Sequence, residues 1–247
     1  MYINDVHILA YLFIALLGGV VGFFSSWCNE RLPGNKKIFT KEIFLEYKTK
    51  LKPNYVLMFI SAILYVILLY RYGIQETFTK NLILIQYLLL TPMLLSTFVI
   101  DKKLTIIPNR LSLTMFEVGL AICFINGINN FSLAVNSVLG MALGAGIFAI
   151  ISLVGGLIAG REAMGMGDVK LMGALGLYFG LINTGIISVL AFLIAAVISI
   201  IVLIRKKSED GYMPFGPFIV IAAFITMLVP TGTLLNILLE ILTLGLI

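Results

Sequence analysis

Leu133-Ala-Val-Asn-Ser-Val-Leu-Gly140-Met-Ala-Leu-Gly144-Ala-Gly-Ile-Phe-Ala-Ile-Ile-Ser-Leu-Val-Gly-Gly156-Leu-Ile-Ala159 runs for 27 residues without a charged side chain. A helix of about 20 apolar residues spans the roughly 30 Å hydrocarbon core of a bilayer. The run lacks the alternation of period two that a barrel strand needs. In lipid the backbone must satisfy its own hydrogen bonds, so the run is read as a transmembrane helix. Seven further apolar runs occur at residues 8–27, 55–72, 82–100, 111–126, 171–183, 184–204 and 215–238. The sixth and seventh in chain order, 171–183 and 184–204, meet at Leu181-Ile-Asn-Thr-Gly185. Pro92 lies inside the third run, where a kink is expected.

Composition agrees with this reading. Apolar residues make up 60% and charged residues 12% of the 247, and mean hydropathy is +1.09; soluble domains are about half apolar and a quarter charged. The expectation is an all-α polytopic membrane bundle of about eight helices. No polar linker divides the chain, so residues 1–247 are read as one integral-membrane domain.

The basic residues orient it. With the N-terminus outside, the inner segments are 28–54, 101–110, 160–170 and 205–214. They hold seven, three, two and three Lys and Arg, 15 of the 17 in the chain, and leave only Arg71 and Lys80 outside. This asymmetry places both termini outside and makes 28–54 a short basic cytosolic loop. It also accounts for the formal charge of +5 without nucleic acid. No Lys or Arg precedes the first run, which is read as a retained span rather than a cleaved leader. Cys28 and Cys123 stand near opposite faces with no CxxC, so neither a disulfide nor a metal site is expected. Small residues at helical spacing, Gly18 with Gly22, Gly140 with Gly144, Gly156 with Gly160, and Gly173 with Gly176 and Gly180, read as helix-packing positions.

Acidic residues are scarce. Asp5, Glu76 and Glu240 fall at or near the outer side, while Glu30, Glu42, Glu46, Glu162, Glu209 and Asp210 sit among inner Lys and Arg as solvated partners. Asp101, Glu117 and Asp168 remain. Asp101 directly follows the third run, and Asp168 opens the sixth in Gly165-Met-Gly167-Asp168-Val-Lys170-Leu. Both lie at the inner boundary. Singly, each reads as a helix cap or a lysine partner. Together, two carboxylates at one depth that share a proton form an acid–base unit for peptide hydrolysis that needs no metal. Gly165 and Gly167 read either as an ordinary helix-start loop or as room for a peptide backbone beside the carboxylate. Glu117, two turns into the fourth run, reads as a bundle-facing carboxyl or as a contact for a substrate. His7 lies outside, away from any chemistry.

The segment from Gly165 to Leu171 resembles the GxGDxKL signature of type IV prepilin peptidases, membrane aspartyl proteases of the GxGD class. Asp101-Lys-Lys-Leu-Thr-Ile-Ile-Pro108 resembles the stretch that carries the family's first aspartate. Pro214-Phe215-Gly216-Pro217-Phe218 is similar to its PFGPF segment, and Ser25-Ser-Trp-Cys-Asn-Glu-Arg-Leu-Pro33 to its N-terminal S-x-x-N-x-x-x-R-L-P stretch. The resemblance implies that Asp101 and Asp168 are the catalytic pair, with Gly165, Gly167 and Lys170 in the active-site loop. Pro108, Glu117 and Pro214 to Pro217 become substrate-contact or structural positions.

The implied substrate is a prepilin or pilin-like (pseudopilin) precursor. It would be cut after the glycine that ends a short basic leader, at the cytosolic side of the bacterial cytoplasmic membrane. Membrane lipid is the other partner expected, and neither metal nor nucleic acid is. Two departures stand out. Many bacterial members carry two CxxC pairs in the first cytosolic loop and methylate the new N-terminus with S-adenosylmethionine; residues 28–54 hold only Cys28. A peptidase without that methyl transfer and without that cofactor is expected. Asn109 replaces an aspartate common after the proline, at a position outside the catalytic pair. A proton-coupled transporter using Asp101, Glu117 and Asp168 is the competing reading. Transporters tend to have internal repeats and midplane sites, whereas here no repeat shows and two of the three acids share one face. A spent assembly partner is the third reading; both aspartates and both glycines are present against it.

Overall fold

The computed structural model describes residues 2–4, 6–34, 36, 54–160, 164–204 and 213–243. Most of the basic loop at 28–54, together with Asp5, Arg161, Glu162 and residues 205–212, lies outside the described residues. A two-stranded hairpin comes first, β1 (Tyr2–Ile3) antiparallel to β2 (Val6–His7). Among the described residues eight helices follow: α1 (Ile8–Arg31), α2 (Tyr55–Tyr72), α3 (Phe78–Leu104), α4 (Asn109–Asn129), α5 (Phe131–Ala159), α6 (Met166–Ile204), α7 (Gly216–Leu228) and α8 (Thr231–Leu242). Six, α1 to α6, are long and apolar enough to cross a membrane; α7 and α8 are apolar but shorter. Large apolar side chains such as Leu153, Leu157, Ile158 and Leu203 are exposed along the long helices. Such a surface suits lipid and not water, so this is an integral membrane protein with an all-α bundle.

The chain forms two compact units, Met1–Leu111 and Ser112–Ile247. In the first, α1 lies close against α2. A Cβ on Gly18 would stand 2.9 Å from Ala62 Cα, and one on Gly22 2.9 Å from Met58 Cα. His7 takes a structural part, its Nδ1 accepting from the Leu9 amide at 3.3 Å to cap α1. Helix α3 continues through Pro92. The proline has no N–H for the carbonyl of Leu88, four residues back. The Tyr65 hydroxyl of α2 donates to that carbonyl instead, at 2.8 Å. A neighbouring helix thus satisfies the group that proline leaves open, as a span in lipid requires.

In the second unit α5 and α6 cross at glycines. A Cβ on Gly140 would lie 2.5 Å from the Gly176 oxygen, one on Gly144 2.5 Å from the Met172 oxygen, and one on Gly176 would overlap the Gly140 carbonyl. These are the packing contacts expected of small residues in membranes. The border expected at 181–185 falls at Gly180, where φ is 70° and ψ −177°, a region open essentially to glycine alone. The break leaves the Leu181 amide without a helical partner. Asn136 of α5 accepts from it through Oδ1, at 3.1 Å. The expected run at 215–238 is also divided: α7 ends at Leu228 and α8 starts at Thr231, with Pro230 between them. Asn183 and Thr231 then tie α6 to α8 by a 2.9 Å hydrogen bond.

Candidate active site

Asp101 belongs to the first unit and Asp168 to the second. The apolar run that precedes Asp101 stops at Ile100, but α3 continues to Leu104, so the aspartate lies inside the helix in its last turn. Lys102 and Lys103 extend the helix because cations are favourable near the negative end of its dipole. Its backbone closes the helix: the Thr105 amide donates to the Asp101 oxygen at 2.8 Å, with Thr105 left-handed at φ 54°. The Asp101 side chain is 4% exposed. Its neighbour Ile100 packs with Trp27, Cys28, Leu32 and Leu111, which fixes the end of α3 against the end of α1. Arg31 stacks its guanidinium over Trp27 at 4.0 Å from the ring centre. Pro108 is buried and opens α4, its oxygen accepting from the Leu111 amide at 3.0 Å.

Asp168 stands in the first turn of α6 and is 8% exposed. Its amide donates to the Gly165 oxygen at 3.0 Å. Among the described residues, a Cβ placed on Gly165 would find the Asp168 Oδ2 at 3.7 Å and nothing closer. The fold therefore has room for a side chain at Gly165, and the absence of one keeps the space beside the carboxylate open. Gly165 and Lys170 are exposed. A helix N-terminus favours an anion and a C-terminus disfavours one, so the two helix dipoles act in opposite senses on Asp168 and Asp101.

The other expected positions separate. Glu117 is exposed on α4. Phe215 caps the start of α7 and centres an aromatic cluster, with ring centres 5.8 Å from Phe148, 5.2 Å from Phe192 and 5.9 Å from Phe218. Gly216 and Pro217 are buried beneath it, and Pro214 is half-buried. The Pro214–Phe218 segment thus packs α7 against α5 and the second half of α6. Cys28 and Cys123 are both buried free thiols. Among the described residues no group of three or more His, Cys, Asp or Glu is placed to hold a metal ion.

One feature was not legible as a site. A cavity of about 310 Å³ opens within the first unit, where α1 and α3 end and α2 begins, lined in part by Ser26, Asn29 and Asn54. Its only sequence signal was the Ser25–Pro33 stretch.

Comparison with known proteins shows what this chain is similar to. Residues 88–204 match the model of the "Type IV leader peptidase family", a span that holds Asp101, Pro108, Glu117, Gly165, Gly167, Asp168 and Lys170. The prepilin leader peptidase/N-methyltransferase of Aeromonas hydrophila is 31% identical over 142 residues, which are 57% of this chain and 48% of that protein. The protein of the same name from Pseudomonas aeruginosa is 33% identical over 147 residues, again 57% and 48%. That of Pseudomonas putida is 28% identical over 186 residues, 73% and 60%. The chain thus matches about half the length of the first two relatives. No solved structure matches it. The motifs that carry the resemblance, Asp101 to Pro108 and Gly165 to Leu171, fall inside the matched span.

Proposed function

We propose that this chain, whose residues 88–204 match the type IV leader peptidase family, is a membrane aspartic endopeptidase. It removes the short basic leader from type IV prepilins or pseudopilin precursors at the cytosolic boundary of the bacterial cytoplasmic membrane. The observation that carries this reading is the family match itself, because it includes both buried aspartates and the glycine loop beside the second. The charge asymmetry supports eight spans with both termini outside and the catalytic end in the cytosol. Residues 1–247 act as one peptidase domain. The transporter reading draws no support from a peptidase family match.

Asp101 and Asp168 are the catalytic pair. Two carboxyls that work together cannot both ionise easily, so one holds a proton. The helix dipoles assign that proton to Asp101 and the charge to Asp168. Asp168 takes a proton from water, whose oxygen attacks the scissile carbonyl carbon, while Asp101 donates to the carbonyl oxygen. Collapse of the tetrahedral diol breaks the C–N bond; the leaving amine takes the proton from Asp168, and Asp101 regains its own. Site-resolved carboxyl titration is expected to show Asp101 protonated and Asp168 ionised at neutral pH; the reverse assignment rules this division of labour out.

Gly165 and Gly167 leave room for the substrate backbone. Since an added methyl at Gly165 meets nothing within 3.7 Å, Gly165→Ala is expected to keep its melting temperature. Cleavage should fall about 10²-fold, the cost of a small misplacement of the scissile bond. A parallel loss of melting temperature and activity would mean that the glycine serves the fold instead. Lys170 is read as part of this loop, and Pro108, Glu117 and the Pro214–Pro217 segment as substrate-contact or supporting positions.

The relatives' name includes N-methyltransferase, but here residues 28–54 contain a single cysteine. We read the chain as a peptidase alone, using neither S-adenosylmethionine nor a metal and binding no nucleic acid. The test is mass spectrometry of a precursor with a basic leader, incubated with the protein in lipid nanodiscs with and without S-adenosylmethionine. Loss of the leader mass with no added methyl group is expected. An intact precursor contradicts the peptidase, and a methylated product contradicts the single activity.

A further inference from the structure

The cavity of the first unit has chemistry that the catalytic pair does not use. It lies on the α3 face next to that of Asp101. Ile100 and Lys103 line it, and Asp101 follows Ile100 directly, about 100° around the helix. Asn29 supplies a buried oxygen, Oδ1, that has no hydrogen-bond partner among the described residues. A buried acceptor left open is costly and calls for an N–H donor. Asn54 has committed its Oδ1 to the Leu57 amide at 3.3 Å, so its side-chain N–H groups are the part it can offer to an acceptor. Glu30 adds an exposed carboxylate on the same wall, an anion within a segment whose net charge is basic.

An orphan acceptor and an anion together call for a ligand rich in N–H donors that carries a positive charge. A lipid phosphate has the opposite character. A basic peptide fits: its backbone supplies N–H to Asn29 and C=O to Asn54, and one cationic side chain meets Glu30. We propose that this cavity is the leader subsite, holding one Lys or Arg of the precursor's leader against Glu30 while the chain passes on to Asp101. Lys103 lines the same cavity and repels a second cation, which fixes the register of the leader. This inference rests on the peptidase reading above and adds the residues that recognise the leader. It also turns Glu30, expected as a solvated partner of neighbouring cations, into a specificity-determining residue.

The experiment compares two precursor peptides of equal length, one with a single basic leader residue and one with glutamine in its place, cleaved by the protein in nanodiscs. Glu30→Gln is expected to raise KM about fivefold for the basic leader, the scale of an exposed ion pair, with kcat unchanged and the neutral leader unaffected. Glu30→Lys should be worse for the basic leader, and a leader with glutamate at that position should restore it. Equal effects of Glu30→Gln on both leaders, or none on either, overturn the subsite; equal effects that vary with the anionic lipid content assign the cavity to lipid instead. A wild-type protein that cleaves neither peptide contradicts the peptidase reading, and the subsite with it. Wild-type cleavage without leader discrimination sinks the subsite alone.

Discussion

Asp168→Asn and Asp101→Asn are each expected to lower leader cleavage by at least about 10³-fold with the helices intact. Asparagine is nearly isosteric with aspartate, so the buried positions at 8% and 4% exposure lose little packing. What each substitution removes, on the proposed mechanism, is a proton-transfer group. General acid–base contributions are about 10²–10⁴-fold per group, and groups that act as a unit fail together. At Asp168 the amide cannot take a proton from water; at Asp101 it cannot give one to the carbonyl oxygen. The check pairs the cleavage rate with a melting curve in the same nanodiscs. A variant that melts like the wild type and cleaves at more than a tenth of its rate would show that its aspartate is structural.

Gly176→Leu is expected to abolish the fold of the second unit. The Cβ alone would overlap the Gly140 carbonyl and the Met141 amide, which are backbone atoms on a facing helix. Backbone cannot swing aside as a flexible side chain can, so α5 and α6 must separate and lose their whole interface. Overpacking usually costs about 1–3 kcal/mol; a clash between helix backbones belongs to the rarer class above about 4 kcal/mol. Gly146, around which a Cβ meets nothing within 4 Å, is the control. Gly146→Ala should leave stability unchanged or raise it by up to about 1 kcal/mol. Folded yield and thermal melting of the two variants should differ accordingly, and similar values would remove the close crossing from the account.

The physics of the bilayer made much of this architecture readable in the sequence. Apolar runs had to become helices, and α1 to α5 each contain their run, all but α2 extending a few residues beyond it. The extension is instructive at Asp101. Hydropathy ends at Ile100, but a helix ends where its carbonyls find other partners, here at the left-handed Thr105. The break in α6 was expected one residue or more too late, because what permits it at Gly180 is the Asn136 side chain, 45 positions away in sequence. No local pattern reports such a partner. The same holds for Tyr65, which makes Pro92 tolerable from another helix. The division of the last run was legible: Pro230 offers no N–H and restrains the residue before it, a signal that the continuous hydropathy of 215–238 outweighed.

At the proposed site, Asp101, Asp168 and the glycines rest on residue type and motif, and carboxylates are rare enough in this chain for each to be weighed. The Pro214–Phe218 segment was legible as a motif but not as an aromatic hub, since Phe148 and Phe192 come from distant helices. The cavity was the least legible feature. Ser26, Asn29, Asn54 and Lys103 come from two helices and the cap of a third, and only folding gathers them around one space.

The central claim, that Asp101 and Asp168 work as one catalytic unit, is tested most directly by cleavage rates of Asp101→Asn, Asp168→Asn and the double variant beside the wild type. A single unit predicts that each substitution alone reaches the floor of the double variant, because half of a dyad does no chemistry. Losses that multiply in the double variant would contradict it, as would either single variant retaining wild-type cleavage.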